Sequence, residues 1–167
     1  MIKSFEPISN IHITVLILGT IPGVKSLQVG EYYANPTNKF WSIISTITKN
    51  EIPLTYADKK ELLLKTGIGI WDVVHTADRK GSLDMHIKNA QPNNLTDFIA
   101  AHQHLKTIAF NGKKAQVLFD RHFKRDKEIN YLTLPSTSAA HTTMNFEKKC
   151  QLWLLNNKKV PFYFPEL

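Results

Sequence analysis

Val15–Leu18, Ile68–Val74, Thr107–Phe110 and Tyr131–Leu134 are short apolar runs bounded by residues that punctuate regular structure. Near-continuous hydrophobicity over such lengths predicts strands buried on both faces. Between these runs the period lengthens. Phe40, Trp41, Ile43, Ile44 and Ile47 share one face of a helix that begins after the capping candidates Thr37 and Asn38. Further helices are predicted over Asp58–Thr66 (stopped by Gly67), Leu95–His102, the basic amphipathic stretch Gly112–Phe123, and Phe146–Leu155. The polar stretch holding Tyr32 and Tyr33 reads as a loop, and so does Ala77–Asn93, with Gly81 and Pro92. The apolar, proline-containing tail Val160–Leu167 is expected to pack on the body. Alternation of strands and helices predicts an α/β domain whose mainly parallel sheet is covered on both faces.

Three loops follow directly after strands and carry unusual sequence: Gly19–Gly23, Asn111–Gly112 and Pro135–Ser138. Ligands of open parallel sheets bind outside the carboxyl ends of the strands, so these loops are expected to form one composite site.

A length of 167 residues fits a single domain, expected to span residues 1–167. Composition is that of a soluble globular protein, and no run approaches the ~18 apolar residues that cross a bilayer. The N-terminal residues lack an apolar signal core, so a cytoplasmic, nucleoid-associated location is expected. One cysteine, Cys150, excludes an internal disulfide and a Cys-ligated cluster. The histidines have no trusted ligand spacing, so neither metal nor cofactor is expected. Lysine and arginine number 21 against 14 acidic residues, a net charge of +7. The excess concentrates between Lys106 and Lys127, as befits either a polyanion partner or a solvated helix face.

Gly19–Ser26 imitates a phosphate-binding P-loop, but imperfectly. Only Thr20, Ile21 and Pro22 separate the two glycines, Val24 intervenes before Lys25, and Pro22 removes a backbone donor from the cradle. Nucleotide hydrolysis is therefore disfavoured.

The segment LGTIPGVKSLQVGEYYANPTNKFW resembles the first motif region of mismatch-specific uracil-DNA glycosylases, with its Gly-x-x-Pro-Gly turn and later Pro-x-Asn, basic residue and Phe-Trp. The double tyrosine, GIGIWDVV (Gly67–Val74), Gly81–Asp84, FNGKKA (Phe110–Ala115) and LPSTSAAH (Leu134–His141) are similar to the hypoxanthine-DNA glycosylase branch of the same superfamily. The resemblance spans roughly residues 13–155. It implies a three-layer α/β/α domain around a four-stranded, mainly parallel sheet. It also implies a monomeric, monofunctional enzyme that removes deaminated bases, hypoxanthine first and uracil second, from DNA containing a damaged base.

Such an enzyme extracts its target base and holds it while the glycosidic bond breaks. Tyr33 matches the family's stacking aromatic; a core tyrosine is the competing reading. Asn111 matches the base-recognising asparagine, whose amide can pair with the lactam edge shared by uracil and hypoxanthine; an Asn-Gly turn would also explain it. Asn38 matches the catalytic asparagine of the hypoxanthine branch, positioning water or the departing base, although helix capping alone accounts for the residue type. Ile21 sits in the base pocket where mismatch-specific relatives carry a water-activating asparagine. Lys25 is expected to meet phosphate, as are Ser136, Thr137 and Ser138 in the loop that meets the minor groove. Leu134 replaces a histidine common in other branches, and with Ile21 keeps a noncatalytic nucleic-acid-binding module open as the alternative. Asp72 and Trp71 are expected to shape the pocket wall.

Overall fold

The computed structural model describes residues 1–159, with side chains as far as Leu154; the tail expected to pack on the body lies outside the described residues. Among the described residues seven strands and six α-helices follow in the order β1 (Ile2–Lys3), β2 (Val15–Gly19), α1 (Val24–Val29), α2 (Phe40–Thr48), α3 (Tyr56–Lys65), β3 (Ile68–Asp72), β4 (Val74–Asp78), β5 (Lys88–Pro92), α4 (Leu95–Ala101), β6 (Thr107–Asn111), α5 (Lys113–His122), β7 (Asn130–Leu134) and α6 (Phe146–Lys159).

The main sheet has the order β3-β2-β6-β7, with every neighbouring pair parallel. All five residues of β2 are buried, as expected of a central strand covered on both faces. The pleat divides its side chains between two cores. Val15 and Ile17 join Phe40, Ile43, Ile44, Leu63 and Trp153 beneath α2, α3 and α6. Leu16 and Leu18 join Leu95, Phe98, Leu118 and Phe119 beneath α4 and α5. The result is the expected three-layer α/β/α arrangement.

Two segments differ from the sequence expectation. The run Ile68–Val74 divides at Val73, so that its end starts a second strand, β4. The stretch expected as a long loop, Ala77–Asn93, contains the end of β4, a 3-10 turn at Asp84–His86, and β5. With β1 these strands form a separate antiparallel sheet, order β1-β4-β5. Its concealment has a physical cause: β5 reads Lys-Asn-Ala-Gln-Pro, mostly exposed, and two register shifts interrupt its pairing with β4. Such a strand lacks the period-2 apolar signal. The short α1 also lies within what reads as loop, capped at its end by Gly30.

Candidate active site

The carboxyl ends of β2, β3 and β6 open on a cavity of about 430 Å³. Ile21, Lys25, Tyr33 and Asn38 line it from the segment after β2, and Asn111, Ser136, Thr137 and Ser138 line it from the loops after β6 and β7. The structure thus brings these eight residues and Asp72 to one place, whereas Trp71, expected at the pocket wall, is not part of the lining: its indole donates to the Phe5 carbonyl at 2.9 Å and its ring packs on Phe98.

Asn111 ends β6, and its amide is a junction. Its Oδ1 accepts the Thr137 N–H at 2.9 Å, while Nδ2 donates to the Thr137 hydroxyl at 2.9 Å and to the Tyr33 hydroxyl at 3.2 Å. The N–H of Thr137 fixes which end of the amide is oxygen. Thr137 is fully buried and its carbonyl accepts the Lys39 N–H, so it holds the loop in place rather than presenting a free hydroxyl. Ser136 and Ser138 remain half-buried on either side. Gly112 makes this closeness possible: a Cβ there would stand 3.0 Å from that of Ser136, and its φ of 96° with ψ of 156° suits only glycine. From beneath, the buried Lys149 ammonium donates to the carbonyls of Ser138 and His141, and Trp153 donates to that of Pro135. His141 lines the cavity with its Nδ1 unpaired among the described residues.

Tyr33 stacks on Phe40 with ring centroids 3.8 Å apart and an interplanar angle of 13°. Its φ of 56° is a conformation a bulky residue adopts only where surroundings compel it. The Phe40 stack and the bond from Asn111 supply that compulsion. Burial raises the Tyr33 phenol above its ordinary pKa, so it stays neutral. The neighbouring Tyr32 is a core residue, bonding through its carbonyl to the Trp41 indole. Asn38 Oδ1 accepts the Phe40 N–H at 2.9 Å at the entry to α2. The N-cap of α2 is Lys39, without a side-chain cap bond, so Asn38 does not cap the helix as weighed from sequence; it closes a turn one residue earlier, and that bond aims its amide. Lys25 projects from α1 as an exposed residue at the rim.

The opposite wall is acidic, and sequence reasoning assigned it no catalytic part. Asp72, at the end of β3, accepts the Ser4 hydroxyl at 2.9 Å, and burial pushes its carboxyl up to about 7. Asp72 and the Tyr33 hydroxyl crowd Gly19, whose missing Cβ would stand 2.7 Å from Asp72 Oδ1. The β4–β5 connection adds three further side chains. Arg79 donates to the carbonyls of Ile21, Pro22 and Gly81; Ser82 Oγ accepts the Val24 N–H at 2.9 Å; Asp84 Oδ1 accepts the Thr20 hydroxyl at 2.7 Å. Burial raises the Asp84 carboxyl, opposed by the Thr20 bond and the charges of Arg79 and Lys114. The one sequence signal for Asp84 was its place in the Gly81–Asp84 likeness. Among the described residues no group of three His, Cys, Asp or Glu could hold a metal ion.

Residues 6–158 match the family model of the uracil DNA glycosylase superfamily. A hypoxanthine DNA glycosylase of Methanosarcina barkeri is 32% identical over 114 residues, covering 68% of this chain and 72% of that one. The protein of the same description from Methanosarcina acetivorans is 34% identical over 114 residues, with the same shares. Among solved structures, an NMR structure of a Methanosarcina acetivorans protein, described as a candidate uracil DNA glycosylase, superposes with a TM-score of 0.75 at 28% identity. It covers 90% of this chain and 92% of its own.

Proposed function

The chain belongs to the uracil DNA glycosylase superfamily, and on that premise we propose that it is a monofunctional glycosylase that flips deaminated bases out of DNA and hydrolyses their bond to the sugar, hypoxanthine first and uracil second. The relatives named hypoxanthine DNA glycosylase support this order of substrates.

The observation that carries the reading is the meeting of Tyr33, Asn38 and Asn111 in one strand-end cavity of about 430 Å³. That volume lies in the ~300–1,000 Å³ range of small-molecule pockets and admits a single flipped base. The Tyr33 ring, backed by Phe40, offers a rigid stacking face. Asn111 Oδ1 keeps a second lone pair beyond its bond to Thr137, which can accept the lactam N–H of hypoxanthine or uracil. Ile21 closes the pocket with an apolar wall. Asn38, aimed by its bond to Phe40, positions the departing base or the attacking water. Lys25, Ser136 and Ser138 face the phosphates, while Thr137 serves the same function indirectly by holding their loop. No step requires a metal or cofactor.

We assign the activity to one domain over residues 1–167, acting as a monomer on chromosomal DNA in the cytoplasm. No helix among the described residues is long and apolar enough to cross a membrane.

The test is incubation with duplexes carrying hypoxanthine, uracil, xanthine or ethenoadenine, followed by alkaline cleavage of abasic sites. Cleavage is expected at hypoxanthine most rapidly. Retained DNA binding without cleavage of any duplex would overturn the enzyme reading in favour of a binding module.

A further inference from the structure

The turn after β2 puts the apolar side chain of Ile21 into the cavity lining, and an isoleucine cannot hold water. The β4–β5 connection compensates from outside the main sheet. It is clamped on that turn by Arg79 at the carbonyls of Ile21 and Pro22, and by Ser82 at the Val24 N–H. Two residues beyond Ser82, Asp84 lines the cavity. One of its carboxylate oxygens, Oδ1, is fixed 2.7 Å from the Thr20 hydroxyl; Oδ2 has no hydrogen-bond donor among the described residues. A carboxylate pinned by one oxygen and open at the other, next to the turn that lacks a water ligand, is a water-binding group in a set position.

Resting on the glycosylase reading, we infer that Asp84 is a second catalytic residue: its free oxygen holds the attacking water against the sugar C1′ and takes that water's proton. The C1′–N bond breaks with its electron pair leaving on the base, and the water oxygen forms the new C1′–O bond. The proton passes to Asp84, which later releases it to solvent, and the base anion gains one from solvent. The sum is hydrolysis. The developing positive charge on the sugar is also stabilised by a nearby carboxylate.

The groups around Asp84 suit this task. Arg79 and Lys114 favour its ionised form, while burial, the largest influence, raises its basicity. Asp72 and Tyr33 are the other titratable groups facing this corner, and burial raises both: the phenol stays protonated, and below about pH 7 the Asp72 carboxyl holds its own proton, so neither competes as the proton acceptor there. A purely structural role, tying the hairpin to the turn, is the rival explanation, and it makes a different prediction.

Single-turnover cleavage of a hypoxanthine duplex separates them, with DNA affinity and melting temperature measured in parallel. Asp84→Asn keeps an oxygen for Thr20 and removes the charge. It is expected to slow cleavage roughly 100-fold, within the range of general-base removal, with DNA affinity and melting temperature nearly unchanged. Asn89→Gly removes a hairpin bond outside the cavity lining, that from its amide to Asp78, while keeping the positive φ and sparing the carboxylate, and is expected to stay within about threefold of wild type. The inference is overturned if Asp84→Asn cleaves within threefold of wild type, or if both variants lose rate and thermal stability together. Should Asp84→Asn fail to fold, Asp84→Glu decides: displacement of the carboxylate by one methylene should cost roughly tenfold, and an unchanged rate overturns the assignment. If wild-type protein cleaves no duplex, the functional reading itself fails and takes this inference with it.

Discussion

The two sides of the cavity are built by different means. One side is the edge of the parallel sheet: Asn111 closes β6, Gly112 lets the next loop approach, and buried Lys149 and Trp153 fasten that loop from below. The other side is a polar hairpin whose strands are short and irregular in register, and which is attached by Arg79, Ser82 and Asp84. The first side inherits its position from the hydrophobic core. The base of the second joins the core through Val74 and Ala77, but the connection beyond β4 is tied to the turn after β2 through a few polar bonds, and such segments open locally at lower cost than a core strand. Damage to the sheet side should therefore lower stability and activity together, whereas damage to the hairpin should lower activity alone.

The harshest break is Gly112→Ala. Its φ of 96° and the 3.0 Å approach to Ser136 leave no room for a Cβ. A loss of about 2 kcal/mol, seen as a fall of roughly 4–8 °C in thermal melting, should accompany a roughly 100-fold slower single-turnover rate. If stability falls while the rate holds, the two properties are not linked on this side. Arg79→Ala tests the other side. Cleavage should slow about tenfold with melting shifted by less than about 2 °C, and amide exchange across residues 79–88 should accelerate. A melting loss comparable to that of Gly112→Ala would erase the contrast.

Asp72→Asn sharpens it further through pH. The Asp72 carboxyl titrates near 7 in the folded protein against an ordinary 3.8, so the native state keeps a proton that the unfolded chain releases within that window. Stability consequently falls as pH rises from about 4 to about 7, because the folded state binds more protons there. The variant should lose that slope, its melting temperature gaining a few degrees on wild type between pH 5 and pH 8; parallel curves would contradict the raised carboxyl. The smallest change is expected from Tyr33→Phe. The ring keeps its stack on Phe40 and Asn111 loses one of its three recorded contacts. A two- to threefold fall in rate is consistent with one weak hydrogen bond.

The contrast between the sides also explains what the sequence disclosed. Val15–Leu18 and Thr107–Phe110 announce themselves because strands buried on both faces must be apolar throughout. Where they end, Gly19 and Asn111 stand out, and all eight residues singled out for the site line one cavity. The hairpin gave no such signal. Lys88–Pro92 is polar because it is exposed, and its pairing with β4 depends on contacts distant in sequence rather than on any local period. Asp84 was visible as part of a likeness, but nothing local placed it beside Thr20, 64 positions earlier in the chain. Roles within the site were also incompletely legible. Thr137 reads as a phosphate-facing hydroxyl, yet its burial and bonds to Asn111 assign it to holding the loop.

That junction at Asn111 has a thermodynamic corollary. One amide fastens the loop bearing Ser136 and Ser138 and, in the role proposed for it, also bonds the captured base. Any base that polarises the amide alters its hold on Thr137, and any strand that displaces the loop alters the amide presented to the base. Base identity and backbone grip are then linked functions with a single coupling energy, equal in both directions. A lesion that fits the amide would lengthen the enzyme's residence on that strand, while an undamaged base would leave the loop's grip unreinforced and let the protein move on.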